Sequence, residues 1–122
     1  MPASVDLAAA LSTLTAPWEP RTVASLNDYA VRVVKVLGEF TWHSHPETDE
    51  LFLVLRGALT IRTDAGDVDL GPGQLYVVPR GTKHQPYSPD GADVVLIEPA
   101  ATVNTGDTPN HLTREPHLAP EE

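Results

Sequence analysis

Residues 38–57 read GEFTWHSHPETDELFLVLRG, and this stretch decides the fold class. His43 and His45 are separated by one residue, a turn containing Pro46 follows, and Leu51–Leu55 is a continuous apolar run. Side chains of a strand repeat every two residues, so both imidazoles are expected on one face. A strand that is apolar on both faces is typical of one covered on both sides. The stretch therefore predicts two strands, the second of them fully buried.

The same texture of short β-branched runs and turn residues continues from Trp18 to about Pro99. Turns are indicated at Gly71-Pro72-Gly73 and Pro89-Asp90-Gly91, where glycine permits positive φ and proline restricts φ. About nine short strands without intervening helices predict an all-β antiparallel barrel or two-sheet sandwich. The predicted strands are Arg21–Leu26, Tyr29–Leu37, Phe40–His45, Leu51–Leu55, Ala58–Thr63, Asp67–Leu70, Gln74–Val78, His84–Tyr87 and Ala92–Ile97.

The ends of the chain differ from this β region. Leucines recur at i, i+4 and i+7 from Leu7, which predicts a short helix over Ser4–Thr15 with Ser4 as N-cap and Pro17 after its end. We expect residues 1–16 to pack on a barrel of residues 17–100.

After this barrel, residues 101–122 lose periodicity and become polar. This segment predicts an extended tail that is disordered toward Glu122 or wrapped on a partner. Two histidines lie in it, His111 and His117, and they are assigned no role.

Composition excludes several classes of partner. With 8 Lys+Arg and 17 Asp+Glu, the net charge of -9 disfavours nucleic acid and anionic membranes. No apolar run approaches the roughly 20 residues of a membrane span. The N-terminus lacks the basic region of a signal peptide, and the absence of cysteine fits a reducing compartment. A soluble, cytoplasmic protein is expected.

Two ordered motifs carry a resemblance to a known family. Gly38-x4-His43-x-His45-x4-Glu50-x6-Gly57 resembles the first cupin motif, and Gly73-x5-Pro79-x-Gly81-x2-His84 resembles the second. The first motif has four residues between its glycine and its first histidine where five are usual, and the second lacks its frequent terminal asparagine. Neither departure affects a ligand position. The resemblance spans about Tyr29 to Pro99.

This resemblance implies a double-stranded β-helix, the cupin jelly-roll barrel, with one metal ion inside. Residue by residue, its ligands are His43, His45, Glu50 and His84. Three imidazoles and one carboxylate suit a divalent Fe, Mn, Zn, Ni, Co or Cu ion and disfavour calcium. Asp49 has the opposite strand parity and is expected to point to a turn amide, and Glu47 is expected to be solvated in the loop.

Strand parity also indicates a substrate pocket. Thr41 shares the face of His43, and Phe52 and Val54 share the face of Glu50, which predicts a mostly apolar wall. The candidate general base is a metal-bound hydroxide or Glu50 after partial release from the metal, because no other titratable residue is predicted to line the pocket.

Basic and aromatic residues are further pocket candidates. Lys35 and Arg32 lie on opposite faces of one predicted strand, so either Lys35 or Arg32 could point inward and bind a carboxylate or phosphate. Alternatively both lie at the rim with their charged ends in water. Tyr76 and Tyr87 could donate hydrogen bonds at the mouth, although packing explains them equally well. Trp42 is predicted to be core or interface.

The favoured function is a metal-dependent enzyme of the dioxygenase, isomerase or lyase/decarboxylase type, acting on a small oxygen-rich molecule chelated at the metal. The alternative is a non-catalytic binding or sensor protein. A buried acid or base besides Glu50 would favour the enzyme, and a wholly apolar cage would favour the binder. The run Leu51–Leu55, apolar on both faces, also needs a cover on its outer face. Either the N-terminal helix or a second subunit could provide it, and a homodimer is the favoured prediction.

Overall fold

The computed structural model describes residues 4–118. These residues contain seven strands and one short helix. The elements are α1 (Leu7–Ser12), β1 (Arg21–Leu26), β2 (Tyr29–Glu39), β3 (Glu50–Gly57), β4 (Leu59–Thr63), β5 (Gly66–Leu70), β6 (Leu75–Val78) and β7 (His84–Pro99). All strand pairs are antiparallel. The predicted all-β fold with a short N-terminal helix is confirmed.

Strand β7 organises the barrel, because it pairs with three other strands. Its first residues pair with β4, which also pairs with β5, and the rest of β7 lies between β2 and β3 in the order β1-β2-β7-β3-β6. The predicted separation into His84–Tyr87 and Ala92–Ile97 is wrong, because the chain continues as one 16-residue strand. Pro89-Asp90-Gly91 forms a bulge. A step of two residues along β2, from Val36 to Gly38, lies opposite a step of four residues along β7. Proline and a positive-φ glycine suit a bulge as well as a turn.

The predicted strand Phe40–His45 is also wrong. This segment makes only an isolated bridge, in which the N–H groups of His43 and His84 each donate to the other's carbonyl at 3.0 and 2.8 Å. Phe40 N–H donates to the Pro86 carbonyl at 2.9 Å. These bonds attach the segment to β7 without extending β2.

The inward-facing side chains of the central strands are polar at one end of the barrel and apolar at the other. The polar half comprises Arg32, His43, His45, Glu50, His84 and Glu98, all buried. The apolar half comprises Val54, Leu59, Ile61, Leu70 and Val94, also buried. On β3 the change occurs between Glu50 and Phe52, a single step of the strand repeat.

Helix α1 covers part of the outer face. Leu11 is buried against Val33 and Val95, with Leu53 and Leu55 partly buried beside them. The helix is shorter than predicted, and its N-cap is Asp6, not Ser4. The Asp6 carboxylate accepts a hydrogen bond from Ala9 N at 3.1 Å, which stabilises the first turn.

Strand β6 leaves apolar side chains exposed. Leu75 and Val77, which pair with Leu53 and Leu51 of β3, are 56% and 40% exposed. The homodimer stays a prediction. No helix within residues 4–118 is long and apolar enough to cross a membrane.

Residues 101–118 form a strap that lies against the protein's own barrel. Asp107 accepts hydrogen bonds from the backbone and hydroxyl of Ser44 at 2.8 and 3.0 Å, and Thr105 is fully buried. Gly106 approaches so closely that a Cβ there would lie 2.2 Å from the Ser44 carbonyl oxygen. The expected disordered or partner-wrapped tail is therefore corrected for these residues, while 119–122 lie outside the described part.

Candidate metal centre

Four side chains from three parts of the chain converge at the polar end of the barrel. His43 and His45 come from the segment between β2 and β3, Glu50 begins β3, and His84 begins β7. Each offers one ligand atom, and these four atoms all lie within 4.8 Å of one another. The four residues identified from the two sequence motifs thus form one buried cluster.

The carboxylate of Glu50 lies between imidazoles. Its Oε1 is 3.3 Å from His84 Nε2 and 3.5 Å from His45 Nε2. The ring centroids of His43 and His84 are 4.3 Å apart, and those of His43 and His45 are 4.9 Å apart. This separation leaves room for a cation bound to all four residues in place of direct hydrogen bonds.

Backbone carbonyls orient two of the rings. His43 Nδ1 lies 2.7 Å from the Thr41 carbonyl oxygen, and His84 Nδ1 lies 2.9 Å from that of Thr82. A carbonyl only accepts, so each Nδ1 must carry the proton and donate it. The Nε2 lone pairs are then available to a metal, the arrangement common in metal-binding histidines.

His45 supplies a test of whether a metal fits. Its Nε2 is buried and has no hydrogen-bond partner among the described residues. A buried polar atom without a partner is costly, and coordination would satisfy it. The donor set of three imidazoles and one carboxylate fits a divalent transition metal ion and leaves coordination positions for a further ligand.

Electrostatics favour the metal-binding protonation states. Burial, reinforced by the neighbouring His84, lowers the pKa of His43 from 6.5 to about 4. Burial acts to raise the pKa of Glu50, but the adjacent His45, His84 and Glu98 side chains outweigh it and hold that pKa well below 4.5. Neutral imidazole and ionised carboxylate are the forms that coordinate a cation.

A narrow cleft adjoins the cluster, and the space that the centre of a water molecule can occupy within it is about 30 Å³. Trp18, Phe40 and Phe52 form aromatic walls, and His43 and Glu50 reach it from the cluster. The strap contributes Asn104 at the entrance. The site is therefore a mostly apolar pocket with its polar groups concentrated at the cluster.

Sequence reasoning missed two polar residues of this cleft, Asn104 and the buried Glu98. Glu98 is the more important for the chemistry of the site. It is 2% exposed and lines the cleft, and its Oε2 accepts a hydrogen bond from Arg32 Nη1 at 2.5 Å. The register that pairs Leu51 with Ile97 places Glu50 and Glu98 side by side on neighbouring strands. Strand parity with Leu96 could have revealed it, because residues at i and i+2 share a face.

The two adjacent carboxyls differ in protonation. Burial raises the pKa of Glu98 well above 4.5, and the negative charge of Glu50 adds to this shift. Arg32 acts in the opposite direction without cancelling it. Two close carboxylates do not both ionise readily, so Glu98 retains a proton while Glu50 is charged.

Comparison with known proteins agrees with this geometry. A family model for the cupin domain matches residues 30–99, more than half of the chain. The chain belongs to the cupin family. The cupin fold supports many chemistries, so membership of the family does not by itself define a reaction.

The relatives of this cupin include proteins of known structure. The protein is 38% identical over 68 residues to YdbB of Bacillus subtilis, a match covering 55% of this chain and 60% of that relative's length. A cupin-2 domain protein from Shewanella frigidimarina has a TM-score of 0.76 at 38% identity, covering 78% of this chain and 93% of the other. Protein NMB1881 from Neisseria meningitidis has a TM-score of 0.73 at 27% identity, covering 79% and 98%.

Within the cupin barrel, the predicted pocket residues have different positions. Phe52 lines the cleft, whereas Val54 is buried deeper in the apolar half. Thr41 does not line the cleft. Its carbonyl orients His43, and its hydroxyl accepts a hydrogen bond from Asn110 of the strap at 2.7 Å.

Lys35 and Tyr87 lie outside the barrel, which corrects their assignment to the pocket. Lys35 has the same strand parity as the outward-facing Val33, so its side chain also points outward. Its Nζ lies 3.3 Å from Asp93 Oδ1. Tyr87 lies beneath the Arg62 guanidinium, 4.0 Å from its ring centroid.

Arg32 is the basic residue of β2 that points inward, so placing both basic residues at the rim is wrong. Its Nε donates to Thr22 Oγ1 at 3.0 Å, and Nη2 donates to the carbonyls of Ala100 and His117. With Nη1 on Glu98, the guanidinium has partners within the protein and does not line the cleft. It is therefore not placed to bind a substrate anion there.

The remaining candidates lie around the centre. Asp49 points away and accepts a hydrogen bond from Arg80 N at 2.8 Å, as predicted, and Glu47 is exposed. Trp42 is 38% exposed and not part of the core of this chain. Tyr76 packs partly buried against the core.

The two tail histidines differ. His111 is exposed, whereas His117, which was assigned no role, accepts a hydrogen bond through Nδ1 from Thr22 N at 2.8 Å and attaches the strap to β1. Position in a polar tail provides no signal for such a contact.

Proposed function

We propose that this cupin is a metal-dependent enzyme acting on a small oxygen-rich molecule held at His43, His45, Glu50 and His84. The observation that carries the proposal is the buried carboxyl of Glu98, which lines the same cleft as Glu50. A buried acid or base at a cleft is a common feature of active sites.

When bound, a divalent transition metal ion supplies a Lewis acid that polarises a substrate oxygen. The chain's own groups do the rest. The carbonyls of Thr41 and Thr82 orient His43 and His84, and the charged Glu50 completes the ligand set. With Glu50 engaged there, Glu98 is the group that can exchange a hydrogen bond or a proton with a molecule in the cleft.

The apolar walls contribute by excluding water. Trp18 stacks on Phe40 with ring centroids 4.7 Å apart, and Trp18 Nε1 donates to the Leu37 carbonyl at 2.9 Å, which immobilises the indole. Phe52 lies 6.3 Å from the His84 ring, edge to face. Such walls strengthen electrostatic interactions between a bound molecule and the polar groups of the cleft.

Metal analysis tests this proposal. We expect purified protein to carry about one transition metal ion per chain, and His45→Ala to lose at least about tenfold in metal affinity because one ligand is removed. Metal content by mass spectrometry and affinity by competition with a chelator are the measurements.

His111→Ala is the matched control, because His111 is exposed and outside the cluster. Consumption of vicinal diols, α-hydroxy ketones or hydroxy acids by the metal-loaded protein should follow the same pattern across the variants. Equal metal affinity in the wild type and His45→Ala would contradict the proposed centre.

A further inference from the structure

Two of the candidate metal ligands, His43 and His45, lie in a segment that belongs to no strand. On one side of this segment, the backbone of His43 exchanges hydrogen bonds with that of His84, and the His45 carbonyl accepts one from Gly81 N–H at 2.9 Å. Ser44, between the two histidines, directs its backbone N–H and carbonyl to the strap instead. The segment is therefore held from two sides, and the strap provides the second.

The contact between the strap and Ser44 is made by Asp107. Its Oδ1 accepts a hydrogen bond from Ser44 N–H at 2.8 Å, and its Oδ2 accepts one from the Ser44 hydroxyl at 3.0 Å. The backbone N–H of Asp107 donates in return to the Ser44 carbonyl at 3.1 Å. These three bonds engage both backbone polar groups and the side chain of Ser44, two of them with an ionised carboxylate, which makes them strong and directional.

The strap also contacts the segment on either side of Ser44. Gly106 approaches so closely that a Cβ there would lie 3.1 Å from Cδ2 of the His43 ring. Asn110 Nδ2 donates to Thr41 Oγ1 at 2.7 Å, and the carbonyl of Thr41 orients His43. The strap thus touches the residues before, at and after the first ligand.

The strap is itself held in shape around Asp107. Two tight turns, at residues 103–106 and 105–108, are each closed by a backbone hydrogen bond, of 2.9 and 3.0 Å. Thr105 is fully buried and shares a hydrogen bond with the Thr113 hydroxyl at 2.6 Å. A support can position a ligand only if it is fixed in its turn, and these contacts fix Asp107.

We infer that Asp107 is a positioning residue of the metal centre, which holds His43 and His45 in place through Ser44. This inference rests on the proposed function. Asp107 is exposed and is not one of the four clustered residues, so it acts through Ser44 and not as a ligand. Supporting contacts raise metal affinity because ligands that are already in place lose less conformational freedom when the ion binds.

Zinc affinity of the folded protein, measured by competition with a chelator, tests the inference. We expect Asp107→Ala to bind zinc about tenfold more weakly than the wild type, the effect typical of losing a supporting contact. Asp107→Asn should restore the wild-type affinity, because its amide oxygen can accept from Ser44 N–H and its amide nitrogen can donate to the hydroxyl. Asp69→Ala is the matched control and should not change the affinity, since Asp69 is also exposed and accepts a hydrogen bond from the Thr60 hydroxyl at 2.8 Å.

Gly106→Ala provides a second, independent variant that keeps the Asp107 carboxylate. Its added methyl would overlap the Ser44 carbonyl oxygen and displace the strap at the same point, so zinc affinity should fall here too. Urea unfolding of the metal-free variants provides the readout for a merely structural role. Such a role would lower the free energy of unfolding and leave the zinc affinity of the folded protein unchanged.

The outcomes separate this inference from the proposed function. If wild-type protein binds no zinc, the proposed metal centre fails and the inference falls with it. If the wild type binds zinc and Asp107→Ala binds it equally tightly, the positioning role is overturned while the metal centre stands. Should Asp107→Ala not fold, Gly106→Ala decides in the same way. If Asp107→Asn binds as weakly as Asp107→Ala, the charge and not the hydrogen bonds of Asp107 sets the affinity, which also overturns the inference.

Discussion

The two halves of the barrel interior are built from the same strands yet have opposite chemistry. On β3, Glu50 lies in the polar half, and Val54, two inward positions further, lies in the apolar half. On β7, Glu98 and Val94 show the same change. Four strand residues, or two inward positions, thus separate the site from the core that supports it.

This difference shows how stability and chemistry are divided. In the apolar half, burial itself is favourable, by roughly 25 cal/mol per Å² of apolar surface. In the polar half, burial is unfavourable unless each group finds a partner. His45 Nε2 has no hydrogen-bond partner among the described residues, which places an unsatisfied group where a metal is proposed to bind.

Removing the Glu98 carboxyl from the polar half is expected to have the largest effect. Glu98→Leu leaves the buried Arg32 guanidinium without the carboxyl that accepts from its Nη1, and an arginine cannot lose its proton to escape the cost. We expect a loss of at least about 3 kcal/mol in the free energy of unfolding, measured by urea denaturation.

The double variant Arg32→Met/Glu98→Leu should recover most of that loss, because it replaces the pair with apolar side chains. If the double variant were as unstable as Glu98→Leu, packing and not charge would be the reason, and the contrast between the halves would weaken.

The pH dependence of stability should come next in size. Between pH 6.5 and about 4 the unfolded chain protonates His43 while the folded protein does not. Stability of the metal-free protein should therefore fall as pH falls through this range, by on the order of 3 kcal/mol from this residue. Comparison of His43→Gln with the wild type isolates the contribution, and the variant should show a flatter profile. Identical profiles would contradict a neutral His43.

The apolar half should give the smallest effect. Ile61→Val removes one methylene from a fully buried side chain and should cost about 0.5–1.5 kcal/mol at any pH. Metal content and the pH profile should match the wild type. A change in metal affinity in Ile61→Val would show that the two halves are coupled and not separable.

How far the sequence predicts the site depends on local spacing. His43 and His45 are two residues apart, Glu50 follows one short turn, and His84 ends the second motif, so the four candidate ligand positions can be identified from the chain order. Glu98 and Arg32 lack such a signature. A charged residue in a strand is usually solvated, and its burial depends on a partner 66 residues away.

The strand boundaries show the same limit. Pro89-Asp90-Gly91 has the composition of a turn, and only the neighbouring strands, which continue on both sides, make it a bulge within β7. Conversely, Phe40–His45 has the composition of a strand, but an isolated bridge at His43 and the hydrogen bonds of Phe40 attach it to β7 in place of a continuous strand pairing. Turn chemistry and β propensity are local preferences that pairing partners can override.

The sequence alone determined the all-β class, the cupin motifs and the four candidate ligand positions, because period-two alternation and short spacings are encoded locally. Only the tertiary structure decided that Glu98 joins Glu50, that Arg32 is buried and that the strap of residues 101–118 lies on its own barrel. Each of these depends on contacts between residues distant in sequence, whose free energy arises when the strands assemble and their polar groups lose water.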